Sequence, residues 1–268
     1  MFFHKRNDNN FGIIPPLTIN GKEITRVFKF KYLGIMLDPT LTFRDHLHYV
    51  ESKLSSGIGR LRGINRLVPD EVFITLVKAY IIPIYDYCLD IWAVATDNEL
   101  SIIQNKIDRL LIGHFLPSIV RKSKRNSKRN TGRHDNLNNT SINFQDFSKI
   151  DVTPLLTRCH LLTIQERIFW TLVKNVRSCI MSPVESISNI YNFSDNNYTS
   201  RTFPLLKVEA SNSITLRKSI KFRAIKAWNT LPKNWIFNIN STVVSDNEFK
   251  KDVFNLLISQ RSDLCYNL

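Results

Sequence analysis

The sequence predicts a mainly α protein, with an N-terminal β-hairpin followed by a helical bundle and a second helical C-terminal region. Three observations predict it. An Asn20-Gly21 pair sits between two extended runs. The apolar period switches from two to 3.6 shortly after residue 40. Ser/Thr-x-x-Glu capping boxes stand at Thr96–Glu99, Thr163–Glu166 and Ser245–Glu248, each before an apolar helical stripe.

Residues 17–38 contain the hairpin. Leu17-Thr18-Ile19 leads into Asn20-Gly21, the strongest short turn signal, and Lys22 to Val27 returns. Phe30 to Leu37 reads as one further extended run, with Leu33 as ordinary strand core, Tyr32 as either strand core or a contact residue, and Gly34 where a backbone approaches closely. Leu47, Val50, Leu54, Ile58 and Leu61 then form one helical face, and Ser55, Ser56, Gly57 and Gly59 keep that helix thin. A second helix is expected from Pro69, with Val72, Phe73, Leu76, Val77, Tyr80 and Ile81 inward, kinked or ended by Pro83. A third runs from about Ile84 to Ala95 with Cys88, Ile91 and Trp92 inward. A fourth carries Leu100, Ile103, Ile107, Leu110 and Leu111. Residues 117–150, rich in Asn, Ser, Lys and Arg, read as a disordered linker. Further helices are expected after Thr163, over Ile220–Asn229 and after Ser245, and residues 182–215 show no period. The resulting division is 1–42, 43–116, 117–150 and 151–268.

The chain has 268 residues with 37 Lys and Arg against 23 Asp and Glu, a net charge of +14 that draws polyanions. Half of it lies in Arg121, Lys122, Lys124, Arg125, Lys128, Arg129 and Arg133, a run with no acid inside it. That run suits phosphate contact or nuclear import, and equally a solvated linker. Cys88, Cys159, Cys179 and Cys265 form no CxxC pair and no secretory signal opens the chain, so reduced thiols in the nucleus or cytoplasm are expected. The apolar stretch 72–95 holds Lys78, Asp86 and Asp90, each costing roughly 2.5–3.5 kcal/mol at mid-bilayer, so no membrane span is expected.

A polymerase needs carboxylates around two metal ions. No Asp-Asp pair occurs, and Asp86 in Tyr85-Asp86-Tyr87 reads as a structural carboxylate. Asp70 and Glu248 stand at helix N-termini, where the dipole favours acids without any catalytic role. His46 and His48 point to different helix faces. There is no GxSxG elbow and no Gly-rich phosphate loop. The residues therefore predict no catalytic or metal site, no cofactor, no small-molecule substrate and no enzyme.

The stretch FKYLGIMLDPTLTF at 30–43, with His46 and Val50, resembles the region just after the palm in reverse transcriptases of jockey-like, non-LTR retrotransposons. The likeness continues in order. It includes Leu61–Pro69, Ala79–Tyr87 with Ile91-Trp92, Gln104-Asn105-Lys106 with Arg109-Leu110-Leu111, Leu216–Ser219, Trp228–Pro232 and Phe249-Lys250. The resemblance implies a Tyr-Leu-Gly hairpin, here Tyr32-Leu33-Gly34, leading into the thumb, a primer-grip hairpin at 17–38, a thumb gripping RNA/DNA template–primer at 43–116, and Lys31, Tyr32 and Gly34 as nucleic-acid contacts. It also implies fingers and a palm that this sequence lacks. The basic insert at 117–150 is longer than the family pattern, and no zinc knuckle follows. The alternatives are a stand-alone basic nucleic-acid-binding protein and a helical protein-interaction module.

Overall fold

The computed structural model describes residues 1, 3, 17–94, 97–116, 150–182, 184, 190, 191, 206, 207, 219–231 and 245–259. The fold is mainly α, with two small antiparallel hairpins ahead of the helices.

β1 (Thr18–Ile19) and β2 (Lys22–Glu23) pair with Ile19 opposite Lys22. Asn20 and Gly21 both take positive φ, 51° and 76°, as a two-residue hairpin turn of the primed type requires. The run from Phe30 to Leu37 differs from the single strand expected. It folds back on itself as β3 (Phe30–Tyr32) and β4 (Ile35–Leu37), with Tyr32 opposite Ile35. Leu33 and Gly34 form a second two-residue turn, at φ 45° and 86°. Tyr32 and Leu33 are consequently not strand core: they are 58% and 73% exposed. A leucine rarely adopts positive φ, so propensity alone reads this run as one strand, whereas the resemblance implied a Tyr-Leu-Gly hairpin here.

The Asp38-Pro39 loop delivers the chain into α1 (Arg44–Ile64). The Asp38 carboxylate accepts five hydrogen bonds, from the N–H and hydroxyl of Thr40, the N–H and hydroxyl of Thr42, and the N–H of Phe43. Burial pushes this carboxyl up, but the donors outweigh it and hold it below its ordinary value. The expected stripe Leu47, Val50, Leu54, Ile58 and Leu61 is buried throughout.

Pro69 stands one position ahead of α2 (Asp70–Leu76) as its N-cap. Pro83 does not break the path that follows. A π turn, Val77–Ile81, joins α2 to α3 (Ile82–Asp86), and the N–H of Ile82 donates to the Val77 carbonyl five residues back. The wider pairing accommodates a residue without an N–H. Burial now steps by four through Phe73, Val77, Ile81, Tyr85 and Leu89, so Val72 and Tyr80, expected inside, are exposed. The true break is Tyr87-Cys88, where Cys88 has φ 50°. The expected single helix 84–95 is thus two short ones, α3 and α4 (Leu89–Trp92). Within it Trp92 is fully buried, while Cys88 and Ile91 are half-buried.

α5 (Asp97–Phe115) buries Leu100, Ile103, Ile107, Leu110 and Leu111. Its capping Thr96 lies outside the described residues, as does the linker read at 117–149. After α6 (Thr153–Arg158), the capping box opening α7 (Ile164–Ile180) is formed in both directions. α8 (Ile220–Asn229) and α9 (Asp246–Ser259) follow. Ser245 and Glu248 cap α9 reciprocally. α7 is the central post, packed against α4, α5, α8 and α9. One buried cluster runs from Ile35 to Leu257.

Candidate nucleic-acid interface

The surface that gathers positive charge is built on α1. Its apolar stripe faces the core, so helical geometry turns Ser52, Lys53, Ser56, Gly59, Arg60, Arg62 and Gly63 outward, and all are exposed. Ser52, Ser56, Gly59 and Gly63 follow one line along the helix, with Lys53 and Arg60 on one side and Arg62 on the other. Nothing lies within 4 Å of where a side chain would begin at Gly59 or Gly63. The two acids of α1 are half-buried and engaged elsewhere. Asp45 pairs with Lys29 at 2.6 Å and Glu51 with Lys106 at 2.8 Å. The face presented to solvent is therefore narrow, smooth and cationic.

The β3–β4 hairpin borders this face. Lys31 reaches the Tyr49 hydroxyl at 3.4 Å and stands 4.7 Å from its ring centre, while Lys53 approaches the same ring at 5.7 Å. Two ammonium groups thus converge on one aromatic ring. Beneath them an open groove of about 310 Å³ is lined by Gly34, His46, Tyr49, Val50, Lys53, Ile84 and Tyr87. His46 accepts at Nδ1 from the Met36 N–H at 3.3 Å and stands edge-on to Trp92. Burial first, and then the Lys31 charge, hold its imidazole below the ordinary histidine value. A neutral ring is what the Met36 hydrogen bond needs.

Of the residues singled out from sequence, Gly34 lines this groove, Lys31 reaches Tyr49 at its edge, and Tyr32 stands on the exposed hairpin. Gly34 does permit a close approach, but by the Tyr87 ring and not by backbone. A side chain at 34 would begin 3.2 Å from Tyr87 Cε1. Arg121, Lys122, Lys124, Arg125, Lys128, Arg129 and Arg133 lie outside the described residues. Sequence reasoning missed Tyr49, Lys53, Arg60, Arg62 and Tyr87. The α1 cations were readable as the positions opposite the apolar stripe. Tyr87 was not, because its contact with Leu33 spans 54 residues.

The remaining motif residues act as joints. The Gln104 side chain donates to Asp108 at 2.7 Å and accepts from the Ile164 N–H at 2.8 Å, which ties α5 to the start of α7. Asp86 accepts from Arg167 at 3.0 Å, and Asp70 from Arg158 at 2.8 Å. Among the described residues no three His, Cys, Asp or Glu side chains converge as a metal site would need. No described helix is long and apolar enough to cross a membrane.

Over 106 residues, 37% of this chain, the sequence is 27% identical to the RNA-directed DNA polymerase from mobile element jockey of Drosophila funebris. Over a stretch of the same length it is 29% identical to the probable RNA-directed DNA polymerase from transposon X-element of Drosophila melanogaster. The chain is related to these retrotransposon polymerases. The jockey polymerase of Drosophila melanogaster matches at 26% over 113 residues, and each match spans 12% of the relative's length. No family model and no solved structure matches the chain. The relationship overturns the expectation that the chain is not an enzyme. That expectation rested on a missing Asp-Asp pair, yet the relatives are polymerases by name. With 88% of each relative outside the match, the missing pair carries no weight.

Proposed function

We propose that this chain is the part of a non-LTR retrotransposon RNA-directed DNA polymerase that holds the template–primer. In this reading residues 1–42 carry the hairpins beside the primer, 43–116 form a thumb-like bundle, 117–150 a basic linker and 151–268 a helical tail. The observation that carries it is the solvent face of α1. Exposed Lys53, Arg60 and Arg62 flank a line of serines and glycines, with both acids of the helix turned to other partners. Small residues let a helix approach a duplex closely, and flanking cations replace the counterions of its phosphates. Lys31 and Tyr32 extend the contact onto the hairpin, and the basic run from Arg121 to Arg133 adds sequence-independent attraction and a route to nuclear import.

Binding of the full chain to a fluorescent RNA–DNA primer–template, measured from 50 to 200 mM salt, tests this. Contact with about four phosphates gives a log–log slope near about −3.6. Lys53→Ala, Arg60→Ala and Arg62→Ala are each expected to reduce that slope by about one and to weaken all sequences alike. Deleting residues 121–133 measures the basic run separately. Absence of binding at 50 mM salt, or α1 variants identical to the parent, would refute the assignment.

A further inference from the structure

Two segments far apart in sequence meet at the Leu33–Gly34 turn. The Tyr87 hydroxyl donates to the Leu33 carbonyl oxygen at 2.7 Å. The edge of the same ring fills the space above Gly34, 3.2 Å from where a Cβ would stand. Leu33 holds positive φ, a conformation that persists in a leucine only where its surroundings fix it. Tyr87 is itself fixed, because its carbonyl accepts from the Trp92 indole N–H at 2.9 Å and Trp92 is fully buried. A rigid path thus runs from the core through Trp92 and Tyr87 to the tip of the hairpin. The strand leading into that tip carries Lys31, whose ammonium group meets the Tyr49 ring beside Lys53.

We propose that Tyr87 is a positioning residue for nucleic-acid contact. It latches the Leu33–Gly34 turn against the end of α3 and so holds Lys31 beside Lys53, where the two cations take adjacent phosphates of one strand. This inference rests on the nucleic-acid reading of the α1 face. Both lysines approach the one Tyr49 ring, and neither is paired to a carboxylate among the described contacts, which leaves both ammonium groups available to phosphate. A two-stranded hairpin does not hold its own place in water, and Lys31 without the latch samples many positions. The ring and the glycine act as one unit, and both the hydroxyl and the absent Cβ are required.

The test uses the full chain and the same labelled primer–template. Tyr87→Phe removes only the hydroxyl. It is expected to weaken binding by about three- to tenfold and to reduce the salt slope by about 0.9, the share of one phosphate. Lys31→Ala should do the same, and the double variant should be no worse than either single one, because both remove the same contact. Gly34→Ala attacks the latch from the other side and should match them. Amide exchange in residues 30–37 should quicken in Tyr87→Phe with no nucleic acid present. Binding by the parent together with an unchanged Tyr87→Phe slope, or additive losses in the double variant, overturns the latch while sparing the α1 reading. A parent that binds no duplex removes both. Unchanged amide exchange in Tyr87→Phe overturns the latch whatever the binding result.

Discussion

Single carboxylates show how differently one residue type is used in this fold. Asp38 is an organiser of backbone, with five donors converging on it to set the entry into α1. Asp108 is the opposite case. Burial pushes its carboxyl up to about 6, against the weaker opposing pull of its hydrogen bond from Gln104 and the charge of Arg109. The folded state therefore binds a proton more tightly than the unfolded chain. Stability falls as pH rises from about 4 to about 6, and above that range the ionised group carries the full cost. Asp108→Asn keeps an acceptor for Gln104 and removes the charge. It is expected to stabilise the protein by about 1–2 kcal/mol at pH 7.5, with the gain vanishing near pH 4. Thermal denaturation across that range decides it, and a gain independent of pH would contradict the linkage.

Among the elements, α1 and the α2–α3 segment show what local sequence specifies. The 3.6-residue stripe of α1 was legible because every member of it faces one core, and burial follows the stripe without exception. The α2–α3 segment was misread in detail because Pro83 carries two contrary messages. Its missing N–H argues for a break, yet a π turn one step earlier removes the need for that N–H. That extra residue also rotates Tyr80 outward, which a strict 3.6 period cannot reveal. The glycines of α1 differ in the same way. A Cβ at Gly57 would begin 3.2 Å from the tips of Ile81 and Ile84, whereas Gly59 faces open space. Gly57→Leu is expected to destabilise the protein by about 2 kcal/mol through overpacking. Gly59→Ala should stabilise it by about 0.5–1 kcal/mol through helix propensity. Chemical denaturation of both variants checks the pair, and similar effects at the two sites would show that packing is not the difference.

Taken whole, the molecule joins its two helical regions through buried chemistry. α7 packs on α4 and α5 from one region and on α8 and α9 from the other. Gln104–Ile164 and Arg167–Asp86 cross between them as hydrogen bonds and charge. Trp92 and Trp228 lie in the same buried cluster although 136 positions separate them in the chain. A shared core loses its packing at once, so the two regions are expected to unfold in a single transition. Single-tryptophan variants reporting from Trp92 and from Trp228 in a urea titration should give one midpoint. Two separated midpoints would mean two independent cores.

The sequence by itself determined the mainly α class, the first hairpin, the stripe of α1, the caps of α7 and α9, and the resemblance to retrotransposon polymerases. The structural features among these are written into neighbouring residues, by periodicity, by a cap or by a turn pair, and the resemblance into short motifs in order along the chain. Only the tertiary structure decided that Tyr87 holds the Leu33–Gly34 turn and that Lys31 and Lys53 share one aromatic ring. Those outcomes depend on surfaces brought together from distant segments. The free energy that holds a leucine at positive φ comes from a tyrosine 54 positions away, and no local pattern records that contact.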